Sequence, residues 1–385
     1  MLRELHIQTF KAFDDARFKL SPLTVLAGPN GSGKSTVLHA IAILGDLVQG
    51  TITSCLETHG WEYDDLPHLR SRASRMGLTG LHDLPEIGEV EWSVTLGARR
   101  FPGVAAEHVR RRASAVSPWL DVLQRNGRNM RRRDELVGAE ESIKQTLPAS
   151  WLSAVAREDA DRFPTLVALA GWARGVREYL FLDPLKLRAP ARGDGASLGK
   201  HGEELAPFLR RLKERTPGAF TRLVDRVRRH YPRLETLSPK REQFGWTRLD
   251  VRERWNGEVA DFNARQVSDG LLRLIAFAAL FELPAPPSVV LIDELENGLH
   301  PRLLGSVVSM LEELASTGTQ VIATTHSPIT LSYMRQAESV LLVTRGRAGG
   351  VRVTPLTETR GFARLRNHLD LGELWYNVGE ERLLR

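Results

Sequence analysis

Hydrophobic positions near the start of the chain follow the two-residue period of β-strands. The pattern predicts strands over residues 2–10 and 16–20, and the continuous apolar run 22–27 predicts a strand buried on both faces. A glycine-rich loop follows this run, and residues 36–44 then have helical character. The N-terminal segment therefore predicts three strands, a loop and a helix.

The second half of the chain returns to a regular pattern, in which strands alternate with helices. Alternation around Asn256-Gly257 predicts a hairpin. The predicted strands are 246–254, 258–262, 288–292, 320–324 and 340–344, and the predicted helices are 269–282 and 300–315. Short, continuously apolar strands between helices are typical of a parallel sheet covered on both sides. We therefore predict an α/β fold.

The middle of the chain, about 46–240, gives a weaker pattern. Residues 89–96 and 119–124 alternate as strands, with a turn at Asn126-Gly127, and residues 150–176 and 203–230 look helical. The region shows no internal repeat and no heptad run long enough for a coiled coil.

Composition places the chain among globular proteins, with 385 residues, 42% hydrophobic and 26% charged. The longest apolar stretch, 274–283, contains a glutamate and is too short to cross a bilayer, and no apolar signal core follows the first residues. The single cysteine, Cys55, excludes an internal disulfide. We therefore expect a cytoplasmic protein without a membrane partner.

The basic residues are mostly arginine: 45 of the 53 Lys and Arg residues, in a chain of net charge +6. Several stand in runs in the middle region, at 110–112, 131–133, 210–211 and 228–229. Arginine suits phosphate contacts, so DNA or RNA is a possible partner. Arginine as the ordinary surface cation of this protein explains the excess equally well, and the sequence leaves both readings open.

The loop after the third predicted strand fits the phosphate-binding pattern G-x-x-x-x-G-K-[ST], as Gly28-Pro-Asn-Gly-Ser-Gly-Lys-Ser. Its glycines let successive backbone N–H groups face phosphate oxygens, and the following helix adds its positive end. In this pattern the lysine reaches the β- and γ-phosphates of ATP and the serine hydroxyl binds Mg²⁺. The predicted nucleotide-binding residues are Asn30, Gly31, Ser32, Gly33, Lys34, Ser35 and Thr36.

Polar residues follow the later predicted strands. Asp293 and Glu294 end one apolar strand and His326 ends the next, so all three are predicted at the carboxyl edge of the sheet. Asp293 is a candidate Mg²⁺ ligand with Ser35, and Glu294 a candidate catalytic base for the attacking water. His326 is a candidate donor to the γ-phosphate or the water. Ser268 and Gly270 open the helix 269–282, where a hydroxyl and free N–H groups make an anion site, although an ordinary helix cap has the same residues.

Taken together, the order of these motifs resembles an ABC-type ATPase of the RecF, SMC and OLD group. Ser268-Asp-Gly270 resembles the signature, and the opening Leu5–Phe13 resembles the start of those proteins. Parts of the middle also look like stand-alone AAA-family ATPases, many of them antiphage defence components. The resemblance covers 1–45 and 244–345, and only loosely the middle.

The resemblance implies further properties. Two heads of such an ATPase sandwich ATP, so Ser268 and Gly270 would act on the nucleotide of the partner in a homodimer. Lys11 would also contact the nucleotide. The implied function is an ATP-hydrolysing switch, with Lys34, Glu294 and His326 as catalytic residues, that controls a separately encoded effector such as a nuclease. The residues after His326 lack the acidic pattern of a TOPRIM nuclease domain.

The resemblance also implies a P-loop NTPase head whose nucleotide-binding lobe is split. We predict this lobe at 1–100 and 244–360, an inserted, mainly helical lobe with appended strands at 101–243, and a helical tail at 361–385. Two other functions stay open: a transporter ATPase subunit, against which the Val-Ser-Asp-Gly signature argues, and a scaffold in which ATP is structural. No glutamine is clearly placed as the Q-loop of a transporter, Gln124 being the best candidate.

Overall fold

A computed structural model describes residues 1–69, 75–97, 102–180, 183–346, 349–366 and 368–378. The strands are β1 (Leu2–Phe10), β2 (Phe13–Lys19), β3 (Leu23–Ala27), β4 (Met76–Leu84), β5 (Gly88–Leu96), β6 (Val104–Arg112), β7 (Leu120–Asn126), β8 (Asn129–Arg133), β9 (Glu140–Lys144), β10 (Val176–Tyr179), β11 (Leu234–Arg241), β12 (Thr247–Trp255), β13 (Glu258–Asn263), β14 (Val289–Ile292), β15 (Gln320–Thr325), β16 (Val340–Arg345) and β17 (Val351–Pro355). The α-helices are α1 (Lys34–Gln49), α2 (Ile52–His59), α3 (Pro164–Arg174), α4 (Pro184–Arg188), α5 (Leu205–Arg215), α6 (Pro217–His230), α7 (Asp269–Ala279), α8 (Pro301–Ser316), α9 (Pro328–Ser332), α10 (Arg360–Leu365) and α11 (Leu371–Val378).

A six-stranded sheet forms the centre, in the order β10-β14-β15-β3-β16-β17. Its first five strands are parallel, and β17 pairs antiparallel with β16. The loops that leave β3, β14 and β15 therefore emerge at one edge of the sheet, as the sequence predicts for its polar motifs. The mixed α/β fold with a P-loop is thereby confirmed.

One face of the central sheet packs on α1, which an eight-stranded antiparallel sheet covers from outside, in the order β2-β1-β4-β5-β6-β7-β8-β9. Side chains alternate between the two cores, as the strand period requires: Leu26 and Leu291 face α1, whereas Val25, Val290 and Ile292 face the other side. The helix α1 is thus enclosed, which fixes the position of the loop that precedes it.

The opposite face of the central sheet packs on a second core, built from α5, α6, α7 and α8. The three-stranded antiparallel sheet β11-β12-β13 completes this side of the molecule. Because α1 and α7 belong to different cores, the helix of the predicted phosphate loop and the helix of the predicted signature lie on opposite faces of the central sheet.

The middle region differs most from its predicted elements. Residues 150–176 hold short 3₁₀ turns followed by α3, and Pro217 divides the predicted helix 203–230 into α5 and α6, since proline suits the first turn of a new helix. The lobe division at 100 and 244 stays a prediction. The strands do not follow these boundaries, because β10 joins the central sheet and β11 pairs with β12 across residue 244.

In the predicted tail, the described residues form α10 and α11, and Leu374 and Trp375 are buried in the second core. Residues 379–385 lie outside the described part. Within the described ranges, none of the helices has the length and apolar character needed to cross a bilayer.

Candidate functional site

The loop from Gly28 to Gly33 joins β3 to α1 in the conformation that its glycines allow. Gly31 and Gly33 have φ angles of 74° and 108°, a region that side chains with a Cβ rarely adopt. A Cβ on Gly28 would lie 2.2 Å from the carbonyl oxygen of Val343, so only glycine fits there. Asn30 and Gly31 are exposed at the outside of the loop.

The residues at the end of this loop carry polar groups that can bind an anion. Lys34 is buried, and its Nζ donates to the carbonyl oxygens of Gly28 (2.7 Å) and Pro29 (2.8 Å), which holds the ammonium group across the loop. The hydroxyl of Ser32 is buried without a hydrogen-bond partner among the described residues. Thr36 is buried in the first turn of α1. This loop fits the phosphates of ATP, because it offers a cation, a free hydroxyl and a helix N-terminus at one place.

The phosphate loop and the acidic strand end meet directly. Ser35 Oγ donates to Asp293 Oδ1 over 3.1 Å, although 258 positions separate the two residues in the sequence. The hydroxyl of Thr324, at the end of β15, donates to the same oxygen of Asp293. A hydroxyl beside a carboxylate is the kind of hard oxygen pair that Mg²⁺ prefers, so Ser35 and Asp293 fit this ion.

Glu294 stands in a strained backbone conformation. Its φ angle is 50°, which is uncommon for a residue with a Cβ, and its backbone N–H is held by Thr324 Oγ1 at 2.8 Å. The side chain accepts a hydrogen bond from Asn297 Nδ2 (2.6 Å) and is partly exposed. The carboxylate is therefore held within the turn that follows β14, where Asn297 contacts it.

His326 is paired with a residue to which the sequence pattern gives no role. Glu296 Oε1 accepts a hydrogen bond from the backbone N–H of His326 (2.7 Å) and lies 2.9 Å from its Nδ1, while Glu296 Oε2 accepts from Thr325 Oγ1 (2.8 Å). A carboxylate at Nδ1 keeps the proton on that nitrogen and leaves Nε2 as the ring atom available to another group. In the sequence, Glu296 stands out only because it lies two residues after Glu294. That position alone does not predict its contact with His326.

The signature residues are not brought to the phosphate loop. Ser268 is exposed and caps α7, where its Oγ accepts from the N–H of Leu271 (3.3 Å), and Gly270 is packed against Leu303. Within the described parts of the chain, no hydrogen bond or ion pair is found between Ser268–Gly270 and Gly28–Thr36. Their separation by the central sheet explains this, because the two helices start from opposite faces.

Lys11 lies beside the phosphate loop without a hydrogen bond to it. The residue turns the chain between β1 and β2, and the neighbouring Ala12 contacts Gly33. Its Nζ lies 3.2 Å from the centre of the Trp61 ring and 3.2 Å from His39 Nδ1 on α1. Burial lowers the pKa of Lys11 to about 8, and burial beside Lys11 lowers the pKa of His39 to about 3.

A second group of residues of the types that bind metals lies at the far end of α1. Asp46 accepts hydrogen bonds from Cys55 Sγ (3.2 Å) and from His59 Nε2 (3.0 Å), and the Lys200 ammonium lies 3.3 Å from His59 Nδ1. Burial, with Asp46 beside it, raises the pKa of the Cys55 thiol, so the sulfur stays protonated. With the Lys200 ammonium beside it, this set forms a hydrogen-bonded cluster.

Gln124, the candidate Q-loop residue, lies on β7 of the outer sheet, where its side chain donates to Asp121 Oδ2 (2.8 Å). The structure therefore does not bring Gln124 to the phosphate loop.

Solved structures with a similar fold are heads of SMC proteins. One is an SMC head bound to the C-terminal winged-helix domain of ScpA, with a TM-score of 0.56, 16% identity, and coverage of 92% of this chain and 96% of the other. Another, from Pyrococcus furiosus, is an SMC head with an extended coiled coil bound to the C-terminal domain of ScpA, with a TM-score of 0.54, 14% identity, and coverage of 92% and 95%. These likenesses concern the fold.

Sequence comparison agrees with the fold. An OLD nuclease of Thermus scotoductus is 46% identical over 48 residues, which is 12% of this chain and 9% of that protein. The profile of an AAA ATPase domain matches residues 1–51, and the profile described as "AAA domain, putative AbiEii toxin, Type IV TA system" matches residues 98–332. The similarity to an OLD nuclease and the fold of SMC heads agree with the resemblance to ABC-type ATPases of the RecF, SMC and OLD group, and the chain belongs to this AAA-domain ATPase family.

Proposed function

We propose that the protein binds and hydrolyses ATP and uses the bound γ-phosphate to hold two copies of itself together as a molecular switch. The observation that carries the proposal is the contact between Ser35 and Asp293. It joins the phosphate loop to the acidic strand end in the arrangement that an ATP-Mg²⁺ complex needs.

Each residue at the sheet edge has a distinct task in this proposal. Backbone N–H groups of residues 30–36 and the Lys34 ammonium bind the phosphates, and Ser35 and Asp293 hold Mg²⁺, which neutralises phosphate charge when bound. Glu294 orients the attacking water and accepts its proton. His326 contacts the γ-phosphate or this water through Nε2, and Glu296 is the positioning residue that fixes the imidazole.

The dimer follows from the place of the signature. Ser268 and the N-terminus of α7 form an exposed anion site. The ATP that the same chain would bind does not reach this site, because the phosphate loop starts on the other face of the central sheet. A second copy can place its γ-phosphate there. Hydrolysis removes this shared phosphate and releases the contact, so the state of the nucleotide controls assembly.

We further propose that the switch regulates a separately encoded effector, a nuclease in antiphage defence or DNA repair. The short similarity to an OLD nuclease and the family profile support this direction. Lys11 is proposed as an additional nucleotide contact, since its turn packs beside Gly33.

The direct test uses the full chain, with phosphate release and sedimentation measured in parallel. We expect Mg²⁺-dependent release of phosphate from ATP, and a dimer with a non-hydrolysable ATP analogue but not with ADP. Absence of turnover with retained ATP binding would instead support the structural scaffold. An ATP-independent oligomer would contradict the switch.

The variant Glu296→Gln tests the positioning role. We expect turnover to fall roughly 10- to 100-fold with little change in ATP affinity, since the loss of the carboxylate frees the ring of His326 without touching the phosphate loop. The decisive measurement is the double variant Glu296→Gln with His326→Ala. If Glu296 acts through His326, the double variant is no slower than His326→Ala alone.

The matched control is Glu312→Gln, which removes a surface ion pair with Arg335 and should leave turnover unchanged. Independent, multiplicative losses from Glu296→Gln and His326→Ala would show that Glu296 does not act through the imidazole.

A further inference from the structure

Three side chains at the far end of α1 have no task in the proposed ATP chemistry. Asp46 lies in the last turn of α1, and Cys55 and His59 lie on α2. Asp46 Oδ2 is 3.2 Å from Cys55 Sγ and 3.0 Å from His59 Nε2, and the three atoms all lie within 4.8 Å of one another. A carboxylate oxygen, a sulfur and an imidazole nitrogen therefore surround one point.

The two helices explain why these side chains meet. Cys55 and His59 are one helical turn apart, so both stand on the same face of α2. That face packs on α1, and Cys55 is 2% exposed there. Thr51 caps α2 with a capping box, which fixes the start of this helix just after the end of α1. The three polar groups thus stand on well-defined helices and not on a loop.

The separations of the three atoms fit a small tetrahedral ion. Zinc binds thiolate sulfur at about 2.3 Å, and imidazole nitrogen and carboxylate oxygen at about 2.0–2.2 Å. In a tetrahedron these lengths place neighbouring ligand atoms roughly 3.3–3.6 Å apart. The distances from Asp46 Oδ2 are slightly shorter than this. The side chain of Asp46 is 31% exposed, so its carboxylate has room to move outward as the ion enters.

The residues around His59 supply the outer contacts of a metal-binding imidazole. Glu178 Oε2 is 3.7 Å from His59 Nδ1, so a carboxylate faces the proton that Nδ1 carries when Nε2 binds a metal. The ring of Trp61 stacks on His59 with 4.2 Å between the ring centres and covers that side of the imidazole. The Lys200 ammonium is 3.3 Å from Nδ1 but 2.5 Å from Glu178, so it keeps its ion pair when Nδ1 is protonated.

The types of ligand select the ion and separate this cluster from the ATP site. Thiolate and imidazole suit Zn²⁺, whereas Mg²⁺ takes oxygen ligands. Asp46 follows Ser35 by three turns of α1, so about 16 Å of helix lies between the cluster and the proposed Mg²⁺ ligands. The cluster is therefore a second site with a different chemistry.

We propose that Asp46, Cys55 and His59 bind one Zn²⁺ ion, with water as the fourth ligand. Cys55 binds as the thiolate, and its proton passes to solvent when the sulfur–zinc bond forms. No electron is transferred. The exposed side of Asp46 leaves the fourth position to water. The ion joins the end of α1 to α2 and thereby fixes the helix that begins at the phosphate loop.

The first test is titration of the full, metal-free chain with Co²⁺, which takes the place of Zn²⁺ and reports its ligands by absorption. Cys55 is the single cysteine of the chain, so a charge-transfer band from thiolate to cobalt arises from no other residue. We expect the band to saturate at one equivalent of Co²⁺, and to disappear with Zn²⁺ but not with Mg²⁺. Absence of the band, or a band that Mg²⁺ removes equally well, would overturn the proposal.

The second test is Zn²⁺ affinity, measured by competition with a chromophoric chelator. The variants Cys55→Ser and His59→Gln should each bind Zn²⁺ roughly 100-fold more weakly or worse. Glu178→Gln should lose about tenfold, because it removes only the outer partner of the imidazole. The matched control, His368→Gln, changes an exposed histidine elsewhere and should bind like the unaltered protein.

Equal Zn²⁺ affinity in Cys55→Ser and His368→Gln would overturn the site, because it would show binding by surface groups alone. Circular dichroism checks that each variant is folded, and the cobalt band of the unaltered protein decides the question for any variant that is not. The metal measurements use no nucleotide. A chain that hydrolyses ATP but gives no cobalt band fails this proposal alone, so its failure is distinguishable from that of the proposed ATPase.

Discussion

Replacement of Lys34 by alanine is expected to abolish ATP turnover and to weaken ATP binding by roughly 100-fold or more. The Nζ of Lys34 is the cation that spans the phosphate loop, and charge-assisted hydrogen bonds to phosphate contribute about 1.5–3 kcal/mol each. A loss of 100-fold corresponds to about 2.7 kcal/mol. Affinity should be measured with a fluorescent ATP analogue, and turnover by phosphate release.

The same substitution also leaves the carbonyl oxygens of Gly28 and Pro29 without their donor, so unfolding must be measured without nucleotide. Two variants serve as controls. Lys34→Arg keeps the positive charge in the phosphate loop, and Lys213→Ala removes an exposed lysine from a different helix, α5. A Lys34→Ala protein that is folded and binds ATP like the Lys213→Ala control would contradict the assignment of the phosphate loop.

The sequence predicts the central sheet well because its strands carry strong local signals. The apolar runs before Gly28 and Asp293 are short, continuous and followed by turn residues, which a strand buried on both faces requires. The motifs at their ends then predict a common edge, and the contact between Ser35 and Asp293 agrees with it.

The middle region is less predictable because its structure depends on long-range pairing. The strand β10 has four residues and pairs with β14 more than a hundred positions later, so no local pattern identifies its partner. The outer sheet has the same origin: Arg131 and Arg75 come to lie on one face of it only through the register of five antiparallel strands. The runs of arginine were visible in the sequence, but most members pair with nearby acids.

Glu296 shows a different limit of prediction from the sequence. Its sequence position beside Glu294 gave no reason to assign it to His326, because the contact crosses from the turn after β14 to the end of β15. Parallel neighbouring strands place these turns side by side, so the end of every strand at this edge is a candidate partner for the next. The spacing of residues along the chain does not show which of these strand ends are in contact.

Substitution of Glu294 by glutamine is expected to lower turnover by about 10²- to 10⁴-fold and to leave ATP affinity within a few fold, since the carboxylate is the proposed base for water. Glutamine has nearly the same shape and can still accept the hydrogen bond of Asn297. The loop should therefore keep its structure, while the step that destroys the γ-phosphate is blocked. In a switch, this traps the ATP-bound dimer.

The measurement is the sedimentation of Glu294→Gln with ATP, compared with Glu338→Gln, which changes an exposed glutamate away from the sheet edge. We expect a stable dimer for Glu294→Gln alone, and its loss when Lys34→Ala is combined with it. The switch and the scaffold then separate, because a scaffold shows no change of assembly in either variant. A dimer that forms only when hydrolysis is blocked and ATP is bound is the behaviour of a switch, because both the Ser268 site and the γ-phosphate are then needed to hold it.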